Sequence, residues 1–83
     1  MVIEKKHILE TISVALERRL DQSDLTKRME DLEINSIIFV KIVIQCELKF
    51  SFEFENEMLV LNKFENLDAF VNYILKMVIK TKK

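Results

Sequence analysis

Across 83 residues this chain contains neither glycine nor proline. Each normally makes up several per cent of a sequence. The two residues that most readily bend or break a backbone are therefore missing. Tight hairpins lean on glycine, so an all-β fold is disfavoured. A glycine-rich phosphate loop has nothing to be built from. Helices joined by Asn- and Asp-based connections suit the chain better, because those side chains cap helices and close turns.

A chain of this length forms one domain, residues 1–83, with a modest core. Its 33% of charged residues is the share of a soluble domain. The apolar run Ile37 to Val40 is ended by Lys41, and no run in the chain is longer, so none comes near the length of a membrane span. Met1 to His7 lacks the apolar core and cleavage site of a signal peptide, so a cytoplasmic location is expected. The single cysteine, Cys46, excludes an intrachain disulfide and a multi-cysteine zinc site. The single histidine, His7, leaves little for a His-based metal cluster or a Ser/His pair. A net charge of −1 argues against general nucleic-acid affinity. The lysines Lys76, Lys80, Lys82 and Lys83 read as a solvated helix C-terminus favoured by the dipole.

Residues Ile3 to Leu20 read as an amphipathic helix. Ile8, Ile12, Ala15 and Leu16 recur at helical spacing, with Leu9 and Leu20 widening the stripe. Glu4, Glu10, Glu17 and Arg18 take the other side, and His7 reads as a surface residue. Asp21 to Asp24 is a polar break. Leu25, Met29 and Leu32 then mark a long loop with one short helical turn, lying across the core. Asn35 is the expected cap of a second helix that starts with Ser36 and runs to about Phe50. Phe39, Ile42, Val43, Cys46 and Phe50 form its core stripe, where Cys46 acts as a small apolar residue. Ile37, Val40, Ile44 and Leu48 form a second apolar set. A helix apolar nearly all round is either fully buried or faces two partners, and full burial is hard to achieve in 83 residues, so this outer face is a candidate interaction surface unless the long loop or the short third helix covers it. Ser51 to Phe54 is a connector that pins Phe52 or Phe54. Asn56 is the expected cap of a short helix, Glu57 to Leu61, and Asn62 to Glu65 is another connector. Asn66 caps a last helix carrying Leu67, Phe70, Val71, Ile74, Leu75 and Val78. The expected class is all-α, with three longer helices and one short third helix.

No enzymatic constellation stands out, so no catalytic residue is nominated. Ser36 has no evident base, and Glu53, Glu55 and Glu57 look like a solvated surface. What sets Ser36 apart is position. In the first turn of a helix its hydroxyl lies beside free backbone N–H groups and the positive end of the dipole. A phosphate attached there is favoured.

The run Asp31-Leu32-Glu33-Ile34-Asn35-Ser36-Ile37, followed by Phe39, Val40, Ile42, Val43, Glu47 and Phe50, resembles an acyl carrier protein. That family typically shows Asp-Leu-Gly-x-Asp-Ser-Leu before a hydrophobic helix. The likeness extends through Phe54, Glu57 and the Asn66 to Ile74 helix with its Tyr73-Ile74, and so covers essentially the whole chain. The resemblance implies a small four-helix bundle of acyl-carrier type. It implies that Ser36 carries covalent 4′-phosphopantetheine, attached from coenzyme A by a phosphopantetheinyl transferase. The arm's thiol then holds an acyl or aminoacyl group as a thioester, exchanged between a loading enzyme and a downstream synthase of a fatty acyl, polyketide or nonribosomal peptide pathway. Its partner surface is expected on Asn35, Ile37, Ile38, Val40, Lys41, Ile44, Glu47 and Leu48. The carrier itself is expected to be a monomer, with that face able to support dimerisation.

The chain departs from the family at named positions. Glu33 stands where glycine is usual, Asn35 where aspartate is, and Ile37 where leucine is. Asn35 keeps the capping function without the charge. Ser36 to Phe50 holds one acid and two bases, Lys41 and Lys49, where the family carries several acids. Recognition through an apolar face by a few dedicated enzymes is therefore expected, with weak dependence on salt. The alternative is a non-catalytic helical interaction module of the same fold, unmodified, that binds a partner through this face.

Overall fold

The apolar spacings by threes and fours become three α-helices: α1 (Lys5–Leu16), α2 (Ser36–Phe50) and α3 (Leu67–Thr81). The computed structural model describes residues 3–81, so Lys82 and Lys83 of the expected cationic tail, and Met1 and Val2, lie outside it. Among the described residues there is no strand. No described helix is long and apolar enough to cross a membrane.

Side chains start each helix. His7 Nδ1 accepts the Glu4 backbone N–H at 2.9 Å, half of a reciprocal capping box at the head of α1. His7 is thus half-buried and helps to hold a turn, beyond the surface role expected of it. Asn35 Oδ1 accepts the Ile38 N–H at 2.9 Å, and Asn66 Oδ1 accepts the Ala69 N–H at 2.8 Å, as their positions predict.

The ends are less conventional. With no glycine available, three helical segments close on residues in the left-handed region: Glu17 (φ 55°), Glu33 (φ 62°) and Ser51 (φ 54°). Because Glu17 breaks the ladder, α1 stops at Leu16 and does not reach the expected Leu20. Leu20 is buried all the same, since the chain turns back and its N–H donates to Ser13 Oγ at 3.1 Å.

The connection from α1 to α2 holds two 3-10 turns, Gln22–Thr26 and Met29–Leu32, where one was expected. It lies across the core, with Met29 and Leu32 buried and Leu25 half-buried. Asp24 is buried within it. Its carboxylate accepts the Asp21 N–H at 3.0 Å and the Lys27 ammonium at 2.8 Å, so the burial leaves no unmet polar group. The Lys27 carbonyl accepts the Leu67 N–H at 3.0 Å. Lys5 Nζ lies 2.6 Å from Asp68. The head of α3 is thereby tied to both the connection and the head of α1.

The expected short helix over Glu57 to Leu61 does not form. That segment makes two 3-10 turns, Asn56–Met58 and Leu61–Lys63, and Glu55 rather than Asn56 takes the cap position. Between them Leu59 (φ −82°, ψ 39°) and Val60 (φ −128°, ψ 121°) leave helical geometry. Three residues cannot repay the loss of freedom that an α-helical nucleus demands. The all-α class holds, with three α-helices rather than four.

The core joins all three helices. Ile8 and Ile12 of α1, Phe39, Ile42 and Cys46 of α2, and Leu67, Phe70 and Ile74 of α3 are buried. Phe52 and Phe54 are both buried, and so is Phe64, which lies in a stretch read only as a connector. Phe70 packs against Phe39, Phe54 and Phe64, with ring centroids 5.4, 5.9 and 5.0 Å away.

Candidate functional site

The site is built on Met29 to Ile38, where one helical turn closes and the next opens. The Glu33 N–H donates to the Glu30 carbonyl at 3.0 Å, and the Ile34 N–H to the Met29 carbonyl at 3.1 Å. With Glu33 left-handed, this pair of bonds is a Schellman closure. Ile34 follows as its apolar anchor and is almost fully buried. Asn35 is extended (φ −97°, ψ −178°), and its carbonyl accepts the first α2 bond, from the Phe39 N–H at 2.8 Å. The buried Ile34 and the Asn35 cap thus fix where Ser36 enters the helix.

Ser36 is exposed, and no described residue hydrogen-bonds its hydroxyl. The N–H groups of Ser36 and Ile37 precede the first intrahelical bond and keep no helix partner. The Asn35 side chain takes the Ile38 N–H and leaves these two donors to other acceptors. Nearby, Arg28 lies 2.8 Å from Glu30 and 3.7 Å from Asp31, which offsets part of the acidity before the helix. An accessible hydroxyl, two unpaired N–H donors and the positive dipole end together fit a phosphodiester on Ser36.

The structure brings most of the other expected residues together on one exposed face and leaves two half-buried. Ile37 is 82% exposed, Val40 52%, Ile44 49% and Leu48 76%. Lys41 is exposed on the same face, and Asn35 at its head. Ile38 is half-buried and packs against the core. Glu47 is also half-buried, and its Oε2 accepts the Phe54 N–H at 2.9 Å. It fastens the chain after α2 and is not a free surface acid. The outer face of α2 is therefore apolar with basic flanks. Neither the long connection nor the Asn56–Lys63 segment covers it.

Cys46 is fully buried. Burial, with a smaller effect from Glu47, pushes its thiol up to about 12, which keeps it protonated and unreactive. Ile34 escaped sequence reasoning because it stands two positions after Leu32, off the helical spacing. Its signal was an apolar residue beside a cap. The left-handed Glu33 had no residue-type signal at all.

No protein-family model matches the chain, and neither a curated protein nor a solved structure matches it.

Proposed function

We propose that this chain is an acyl or aminoacyl carrier in which Ser36 is esterified with 4′-phosphopantetheine. The observation that carries the reading is the conformation of Glu33. The carrier-like motif has glycine at this position, and here the backbone is left-handed, the shape glycine adopts most readily. A glycine would fit this backbone without strain, so the Glu33 substitution is compatible with the carrier-like motif and supports the reading. Support also comes from the exposed hydroxyl at the head of a capped helix. When bound, the arm supplies a thiol that holds the cargo as a thioester. Ser36 provides the attachment oxygen, Asn35 fixes the helix start, and the free N–H groups of Ser36 and Ile37 favour the phosphate. The reading takes the Asn56–Lys63 turns as the counterpart of the short third helix in a four-helix carrier bundle.

The test is intact mass after incubation with coenzyme A and a broad-specificity phosphopantetheinyl transferase. Wild type is expected to gain one arm, and Ser36→Ala none. Absence of the gain with several transferases would exclude the carrier reading.

A second reading is favoured by the face of Ile37, Val40, Ile44 and Leu48. An exposed row of this kind on a small domain marks a contact surface. In the same mass experiment an unmodified interaction module gains nothing. Its partner binding is lost when Leu48 and Ile44 are replaced and is kept in Ser36→Ala.

A further inference from the structure

A second exposed face, on α3, is left unexplained by either the core or Ser36. The core side of α3 is Leu67, Phe70, Val71, Ile74 and Val78, all buried. On the outside, Asn72, Leu75, Lys76, Ile79 and Lys80 line an open groove. Ile79 is 59% exposed, although it is an isoleucine on a helix with a well-buried opposite side. Lys76 and Lys80 are one turn apart, and no described carboxylate lies within ion-pair distance of either. Residues 72–83 contain four lysines and no acid, in a chain whose net charge is −1. Among the described residues, Lys76 and Lys80 thus place positive charge beside a small apolar ridge.

We propose that this face of α3 is a peripheral docking surface for anionic lipid headgroups. The charge calls for an anionic partner. The shape favours a flat one, because every described residue lining the groove comes from α3 itself and no second described element supplies the wall that a bound peptide helix needs. Lysine stems lie along apolar surface while their ammonium groups reach headgroups, and exposed Ile79, with half-buried Leu75 behind it, forms the adjacent row that meets the interface. Two apolar side chains and a few lysines give weak, reversible adsorption that depends on anionic lipid and falls with salt. Thr81, at the end of α3, shares a surface pocket with Glu47 and Ser51 at the end of α2. Ser36 is at the other end of α2, roughly 20 Å away along a 15-residue helix. Adsorption through α3 therefore leaves Ser36 accessible.

The experiment is flotation of the full chain with two vesicle types. One is phosphatidylcholine alone, and the other is equal parts phosphatidylcholine and phosphatidylglycerol. The expected result is flotation with the anionic vesicles only, at low salt, and its loss at high salt. Lys76→Glu/Lys80→Glu should weaken it by roughly tenfold or more. Ile79→Ser should weaken it less, with the salt dependence kept. All these side chains are exposed or half-exposed, and circular dichroism checks that the variants remain folded. The proposal is overturned if wild type ignores anionic vesicles at low salt, if it floats equally with both types, or if the double variant floats like wild type. Binding to an acidic peptide without binding to vesicles also overturns it. The result does not depend on Ser36, since Ser36→Ala should float like wild type.

Discussion

Glu33 holds a backbone shape that costs a residue with a Cβ about 1–2 kcal/mol. Its φ of 62° is imposed by the Schellman closure and by burial of Ile34 beside it. Glycine would remove that penalty, while its unfolded chain would lose more freedom on folding. The balance predicts that Glu33→Gly stabilises the domain by about 0.5–1 kcal/mol, read as a higher urea midpoint. Glu33→Val should destabilise it by about 1 kcal/mol or more, because a β-branched residue is least able to take this shape. Equal midpoints for all three proteins would mean that the turn is not held as described. Caps were legible residue by residue: Asn35 and Asn66 announce helix starts through their side-chain oxygens. Ends were not. Glu17, Glu33 and Ser51 are ordinary residue types, and what takes the first two into the left-handed region is the hydrogen bonding that closes the turn, which no residue type announces.

At the scale of elements, apolar periodicity made all three α-helices and the α2 core stripe readable, and the Asn35 cap gave the start of α2. Periodicity overran α1 because Leu20 is buried from a loop and imitates another helical turn. It invented a short helix at Glu57 to Leu61 because Asn56 resembles a cap. Whether a few residues become an α-helix or two 3-10 turns depends on what the ends are fastened to, here buried Phe54 and Phe64. The α1–α2 connection offers a test of such fastening. The Lys27 hydrogen bond, then the Asp21 backbone N–H, hold the Asp24 carboxyl below the usual carboxylate range. A carboxyl with a lowered folded pKa stabilises the fold above its unfolded pKa and stops doing so as pH falls through the folded value. Wild type should therefore lose stability between about pH 5 and pH 3 more steeply than Asp24→Asn. Thermal midpoints across that range measure the difference. Parallel curves for the two proteins would show that Asp24 fastens nothing.

At the scale of the whole molecule, one aromatic cluster links the elements that carry the site to those that do not. Phe70 of α3 touches Phe39 of α2, Phe54 after it and Phe64 before α3. Tyr73 extends the cluster to Phe54 and Phe64, and its hydroxyl accepts the Glu55 N–H at 3.1 Å. A domain of this size has little stability in reserve, commonly about 5 kcal/mol at the low end. Removing a buried phenyl ring takes about 3–5 kcal/mol. Phe70→Ala should therefore be largely unfolded at 37 °C, whereas Phe70→Leu, which keeps most of the volume, should lose on the order of 1–2 kcal/mol. Urea unfolding followed by circular dichroism separates the two. The consequence reaches Ser36 without any contact to it. Phe39 lies one turn beyond Ser36 on α2, so the cluster holds the helix whose capped head presents the hydroxyl. On the proposed carrier reading, Phe70→Leu should accept the phosphopantetheine arm at close to the wild-type rate, and Phe70→Ala should accept it slowly and recover as the temperature is lowered. Full modification of an unfolded Phe70→Ala would mean that the transferase reads the local sequence around Ser36. Modification that follows the folded fraction would mean that it reads the helix head.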